Sequence, residues 1–244
     1  MKHLLLTVTI SLSLAASAIP QTSVPSERLR TVEQVLEKYV GAIGGRTSYE
    51  KLTTRVAKGE WENVTRGVRF PIEINSKAPN KRVERLDAPE NRGFTGRGFD
   101  GTNGWSMNMT ETGFRTLEGA ELATMRRESD FYREIRIERL YKSLTVDGTE
   151  RIDGRLLYRV EAVPEIGNRE KLYFDSETGL LTRRDMVYGT TPVQHYYEDY
   201  REVDEVKLPF LLRSEGPVRV ITRLREVKHN APIDDAKFKS PSGN

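Results

Sequence analysis

Cysteine is absent from this 244-residue chain. That excludes disulfides, thiolate catalysis, Cys-ligated metals and lipidation through an N-terminal Cys. Histidine is scarce, with three in all. Two of them, His195 and His229, lie far from each other and from any ligand spacing. A zinc site needs three or four N or S ligands, so no metal and no other cofactor is expected. There is no Gly-x-Ser-x-Gly elbow and no Ser-x-x-Lys with its partners. The Gly-rich stretch 93–104 lacks the Lys-Ser/Thr of a phosphate loop. The 36 acidic residues leave acid–base chemistry open, but no motif marks a pair. The expectation is a protein that is not an enzyme, with a hydrolase as the remote alternative. Nor does charge of one sign prevail, with 39 Lys and Arg against 36 Asp and Glu. Arg alternates with apolar residues along extended stretches, which reads as solvated strand faces and argues against a nucleic-acid footprint.

Long apolar runs are also missing, except at the start. Met1-Lys2-His3 is basic, Leu4 to Ala16 carries no charge, and Ala16-Ser17-Ala18 is a small-x-small cleavage site. The apolar run is short and rich in Ser and Thr for a membrane span. Residues 1–18 therefore read as a signal peptide, with cleavage near Ala18 and export to the periplasm. Residues 19–30 read as a flexible leader and 31–244 as one domain. The cleaved chain loses one charged residue, Lys2, so its formal charge falls from +3 to +2. Without disulfides, the exported domain depends on its core. At this length a chain buries roughly 70% of its unfolded surface, which makes that feasible.

Periodicity then orders the chain. Thr31-Val32-Glu33-Gln34 fits a capping box, and Val32, Val35, Leu36, Tyr39, Val40 and Ile43 form one helical stripe ending at Gly44-Gly45. Strands dominate from about Thr53. Ala57, Gly59 and Trp61 alternate with Lys58, Glu60 and Glu62, and Phe70, Ile72 and Ile74 alternate with Glu73 and Asn75. Ala78-Pro79-Asn80 makes a turn. The Gly-rich stretch from Phe94 to Phe99 suits a bent or closely approached strand, and Trp105, Met107 and Met109 alternate after the Asp100–Gly104 turn. Gly119 to about Leu144 reads as two helices or one kinked near Ser129-Asp130. Asp147-Gly148 and Asp153-Gly154 are turn dipeptides in the strand meander that follows. The fold class is mainly β (α+β), one curved antiparallel sheet with helices. Such a sheet either closes on a dry core or leaves a pocket for an apolar ligand.

The order of landmarks resembles the LolA/LolB-like outer-membrane lipoprotein-sorting family. The matching pieces include Ala42-Ile43-Gly44-Gly45, Val56-Ala57-Lys58-Gly59, Lys77-Ala78-Pro79-Asn80-Lys81, Phe99-Asp100-Gly101 and Gly104-Trp105. Leu172-Tyr173-Phe174-Asp175, Thr178-Gly179-Leu180, Leu208-Pro209-Phe210 and Pro232-Ile233-Asp234-Asp235 continue the pattern. The resemblance implies an incomplete antiparallel β-barrel with helices over its concave face and a cavity for acyl chains. It further implies a periplasmic carrier of lipids or lipoproteins, and the expectation is a monomer. An envelope protein partner on the same fold is the alternative. Carriers of this family place an Arg just before a Pro-Asn pair; here that position is Ala78. The strand faces nominate Trp61, Phe70, Ile72, Ile74, Trp105, Met107, Leu122 and Met125 as ligand contacts, converging beneath the Leu122/Met125 helix.

Overall fold

The computed structural model describes residues 30–88, 93–108 and 113–241. The signal-peptide and leader assignments, apart from Arg30, fall outside the described residues, as does Met109.

Helix α1 (Val32–Ala42) begins as its sequence dictates. Thr31 caps it, accepting from the Gln34 N–H, while the Gln34 side chain accepts from the Thr31 N–H. Val35, Leu36, Tyr39 and Val40 are buried on one face. Gly44 follows at φ 113°, where a Cβ would lie 2.2 Å from the Glu205 carbonyl oxygen. Only glycine fits both that backbone and that contact. A second short helix, α2 (Gly45–Glu50), starts at once and was not anticipated.

Thirteen strands follow among the described residues: β1 (Thr54–Asn63), β2 (Val68–Lys77), β3 (Lys81–Asp87), β4 (Phe94–Phe99), β5 (Gly104–Met107), β6 (Arg115–Thr116) and β7 (Ser143–Ile152). Then come β8 (Arg155–Val163), β9 (Glu170–Asp175), β10 (Leu181–Tyr188), β11 (Thr191–Val203), β12 (Val206–Glu215) and β13 (Val220–His229). All pair antiparallel in one sheet, ordered β6-β5-β4-β3-β2-β1-β13-β12-β11-β10-β9-β8-β7. The sheet is open and curved. Its edges, β6 and β7, are consecutive in sequence but do not pair. Helix α3 (Gly119–Ser129) and two 3₁₀ turns (Arg133–Ile135 and Ile137–Arg139) connect them.

Two local expectations change. Residues after Asp130 form 3₁₀ turns rather than a second α-helix. The Phe131 N–H bonds to the Pro79 carbonyl at 2.9 Å, and the Tyr132 hydroxyl to the Leu52 carbonyl at 3.0 Å. These tertiary bonds hold a tighter path than a continued helix allows. Asp147-Gly148 is not a turn but a bulge inside β7, where the register to β8 shifts. Asp153-Gly154 is the turn, with both residues at positive φ (49° and 78°), as a two-residue hairpin requires.

The main core joins α1 to the sheet. Leu36, Tyr39 and Ile43 cluster with Val160, Leu172, Phe174, Val206 and Phe210. The Tyr39 and Phe174 rings meet edge to face at 5.3 Å.

Candidate functional site

Register decides which side chains share a face. Ala57 opposes Ile74, Gly59 opposes Ile72, and Trp61 opposes Phe70 and, on the other side, Thr222. Directly paired residues point the same way. Continuing across β3 and β4, Ile74 opposes Glu84, which opposes Arg97. Apolar and charged residues therefore occupy one face, and a cavity of about 330 Å³ lies against it.

The cavity has two unlike walls. Trp61, Ile72 and Ile74 of β1 and β2, with Leu208 and Leu212 of β12 and Leu224 of β13, form the apolar one. The other is charged. Arg82 of β3 pairs with Glu84 at 2.6 Å, Glu84 with Arg97 of β4 at 2.9 Å, and Arg97 with Glu128 of α3 at 3.2 Å. Glu128 reaches Arg184 of β10 at 3.5 Å, which binds Glu170 of β9 at 2.8 Å, and Glu170 binds Arg127 of α3 at 2.9 Å. Tyr141 donates to the second Glu170 oxygen at 2.6 Å. Beside this chain, Glu134 pairs with Arg133 at 3.1 Å and with Arg55 at 3.8 Å. The seam thus links β4 on one side of the open sheet to β9 and β10 on the other, through α3.

Burial alone raises the carboxyls of Glu84, Glu128, Glu134 and Glu170. The adjacent guanidiniums outweigh it and hold all four below the ordinary carboxylate range. His195 of β11 also lines the cavity and bonds the Ser214 hydroxyl through Nδ1 at 2.8 Å. Burial first, and Arg184 second, pull its pKa down to about 4, so the ring is neutral at pH 7. Its hydrogen-bond partners among the described residues are hydroxyls, Ser214 and Tyr188, not a carboxylate. Among the described residues no group of three potential ligands is placed to hold a metal.

Of the eight nominated contacts, Trp61, Ile72 and Ile74 line the cavity. Phe70 stacks on Trp61 with centroids 5.9 Å apart and supports it from beside the cavity. The expected convergence of the other four is corrected. Trp105 opposes Gly98 and Met107 opposes Gly96, positions out of phase with Arg97. They therefore point to the opposite face, where Trp105 and Met107 pack with Val83, Ile233 and Phe238. Trp105 Nε1 donates to the Phe238 carbonyl at 3.1 Å. A Cβ on Gly98 would lie 2.5 Å from the Trp105 ring, which explains the glycines of β4 by close approach. Leu122 and Met125 pack with Phe99 and Leu117 in a separate cluster. The charged wall had no counterpart in the sequence reading. Its signal, Arg82-x-Glu84 in phase with Ile72 and Ile74, was present but reads equally well as a wet strand face.

No protein-family model and no curated protein sequence matches the chain. Solved structures do. A LolA superfamily protein from Nitrosomonas europaea superposes with TM-score 0.60 at 11% identity, covering 87% of this chain and 99% of that one. A DUF1329 family protein from Desulfovibrio piger gives TM-score 0.60 at 13% identity, covering 85% and 97%. A Vibrio parahaemolyticus domain described as outer-membrane lipoprotein-sorting gives 0.58 at 10%, covering 84% and 94%. The resemblance read from the landmark residues thus holds at the level of architecture, and the chain has the fold of the LolA superfamily structures.

Proposed function

We propose that this protein is a non-enzymatic periplasmic binding or carrier protein for lipid-like ligands, acting by sequestering an acyl chain. The cavity of about 330 Å³ carries this reading, because Trp61, Ile72, Ile74, Leu208, Leu212 and Leu224 all line it. Burying a chain there gains about 0.8 kcal/mol per methylene, enough for strong reversible binding without a covalent step. α1 and α3 act as the cover of the concave face. Among the described residues no helix is long and apolar enough to cross a membrane. The lipoprotein-sorting description of the Vibrio parahaemolyticus domain points the same way.

The test is displacement of a fluorescent fatty-acid probe from delipidated protein. The chain has two Trp, and only Trp61 lines the cavity. In a Trp105→Phe background, Trp61 emission should shift on binding. Ile72→Glu should abolish binding, since it places an unpaired carboxylate on the apolar wall. Circular dichroism must show that this variant is folded. Saturable binding that persists in folded Ile72→Glu protein overturns the site. No binding of any lipid by wild type overturns the carrier reading.

A further inference from the structure

Exposed apolar side chains are not spread evenly over this protein. Among the described residues five large ones stand in solvent: Val68, Phe114, Ile166, Tyr188 and Val218. All five belong to one end of the sheet. Val68 opens β2, Tyr188 ends β10, and Phe114, Ile166 and Val218 sit in the connections before β6, β9 and β13. In an antiparallel sheet of consecutive hairpins these positions share an end, and the opposite end carries none of the five. Singly exposed apolar residues are ordinary, but their confinement to one end is not.

The turns at that end are knit together. The Val64 N–H donates to the Arg219 carbonyl at 2.9 Å, and the Arg219 N–H to the Thr65 hydroxyl at 3.0 Å. Gly216 lies so close to Pro192 that an added Cβ would be 3.3 Å from its carbonyl oxygen. The Asn168 side chain donates to the Val187 and Gly189 carbonyls at 3.2 and 3.3 Å. The β1–β2, β12–β13, β10–β11 and β8–β9 turns therefore form one rim. The cavity meets the surface there. Its floor lies under α1 at the buried Tyr39 and Leu208, whereas Tyr188 both lines the cavity and is 36% exposed.

Charge differs between the two ends as well. The four rim turns, 64–67, 164–169, 189–190 and 216–219, carry Arg66, Arg169 and Arg219 against Glu165. The five turns at the other end, 78–80, 100–103, 153–154, 176–180 and 204–205, carry five carboxylates and no Lys or Arg. Arg169 and Arg219 do pair with Glu161 and Glu215, at 3.1 and 3.0 Å, but those carboxylates lie behind them on β8 and β12. The two arginines are 71% and 50% exposed, and ion pairs that open exchange partners at little cost. Single apolar tips on separate turns do not make the continuous apolar core of a protein interface. A bilayer accepts each tip on its own, and its phosphates accept the arginines beside them.

We infer that this rim docks the cavity mouth on an anionic bilayer surface, with Val68, Ile166, Tyr188 and Val218 entering the head-group layer and Arg66, Arg169 and Arg219 meeting lipid phosphates. Such docking rests on the lipid-binding reading above and names where the lipid is loaded or released.

The chain has no Cys, so Ile166→Cys and Glu177→Cys each take a single polarity-sensitive fluorophore, one on the rim and one on the β9–β10 turn at the other end. The labelled proteins are titrated with vesicles of phosphatidylcholine, alone or mixed equally with phosphatidylglycerol. The label at 166 should shift to the blue on the mixed vesicles, and the label at 177 should not. Binding to the mixed vesicles should be about tenfold tighter than to phosphatidylcholine, and added salt should remove that margin. In co-sedimentation of unlabelled protein, Ile166→Ser with Val218→Ser should weaken binding about fivefold or more. Arg66→Gln with Arg219→Gln should erase the preference for phosphatidylglycerol. None of these four residues lines the cavity, so unchanged displacement of the fatty-acid probe shows each variant to be folded. A shift at 177, or binding that survives the double Ser variant, overturns the rim. Equal binding to both vesicle types overturns the anionic surface. A shift at 166 that grows with protein concentration in the absence of vesicles overturns the docking and assigns the rim to a second copy. No vesicle binding by protein that still binds the fatty-acid probe overturns the docking and leaves the carrier reading intact. Vesicle binding without probe binding upholds the docking and overturns the carrier reading.

Discussion

Two buried regions of this protein are held by opposite means. Beneath α1, Leu36, Ile43, Val160, Phe174 and Val206 exclude water with side chains that have no polar atoms. Across the open side of the sheet, Glu170 is just as inaccessible at 2% exposure, yet it is a carboxylate held by two guanidiniums and a phenol. The first region is stable in proportion to the area it removes from water. The second is stable only while it is complete. Its desolvation cost is present in full, and each missing partner exposes it. The cavity lies between a wall of the first kind and a wall of the second. Shape and apolar contact come from one, and paired charges from the other.

Breaking the seam should have the largest effect. Glu170→Ala leaves Arg127 and Arg184 without their principal carboxylate, with side chains 12% and 13% exposed. A loss of about 3–5 kcal/mol in urea unfolding is expected, the range for one partner removed from a buried pair. A loss under about 1 kcal/mol would show the seam to be wet. Cutting the apolar region should cost somewhat less. Leu36 is 5% exposed within the α1 core, and Leu36→Ala should lower stability by about 2–4 kcal/mol. The two substitutions should also differ in kind. Leu36→Ala should act equally at all salt concentrations, whereas the seam variant should respond to added anions that occupy the freed guanidiniums.

This division explains what was legible in the sequence. Val35, Leu36, Tyr39 and Val40 announce the α1 core because a helical stripe has one physical meaning. The Asp-Gly pair signals the hairpin at Asp153-Gly154, but the same pair at Asp147-Gly148 marks a bulge inside β7, so the dipeptide alone does not decide between the two. Arg82, Glu84, Arg97 and Arg184 announce nothing. A charged residue at every second strand position is the mark of a solvated face, and only pairing across β3, β4, α3, β9 and β10 reveals a buried one. Trp105 and Met107 failed as cavity contacts for a related reason. Their alternation identified a shared face but not which face, and the register of Trp105 to Gly98 settled that. The Asp204–Glu205 turn joins β11 to β12 with both residues at positive φ (50° and 65°) and no glycine. The polar run 202–207 marks a connector there, while the two positive φ angles show only in the structure.

Acid should separate the regions next. His195 titrates near 4 in the fold and near 6.5 when unfolded. Between those values the unfolded chain binds a proton that the folded chain refuses. Stability is therefore highest above pH 6.5 and falls as pH drops from 6.5 towards 4, by on the order of 2 kcal/mol. The seam carboxylates have folded pKa values below their unfolded ones. Their contribution is present above about pH 4.5 and is lost only as pH falls further, through the folded values. Two successive declines in the urea midpoint are expected. His195→Gln should shrink the first, leaving the part due to His229, whose pKa burial and Arg55 also lower, and should spare the second. An unchanged first decline in that variant would show that other groups cause it.

The smallest effect should come from the edge of the apolar region. Thr31 is exposed and adds no area to the core, yet it fixes where α1 begins. Its hydroxyl accepts from the Gln34 N–H at 3.4 Å, a long bond, and the Gln34 amide oxygen accepts from the Thr31 N–H at 3.1 Å. Thr31→Ala removes the first bond and leaves the second, so the cap is halved rather than lost. A typical N-cap is worth about 1 kcal/mol, and the long bond places this one towards 0.5. Thr31→Ser should restore it, because serine supplies the same acceptor. The cavity lies beyond Tyr39, more than two turns along the helix. Lipid affinity should therefore remain unchanged while the unfolding midpoint moves. A loss above about 2 kcal/mol, or a parallel loss of probe binding, would mean that α1 frays as a unit into the cavity and that the apolar region is as cooperative as the charged one.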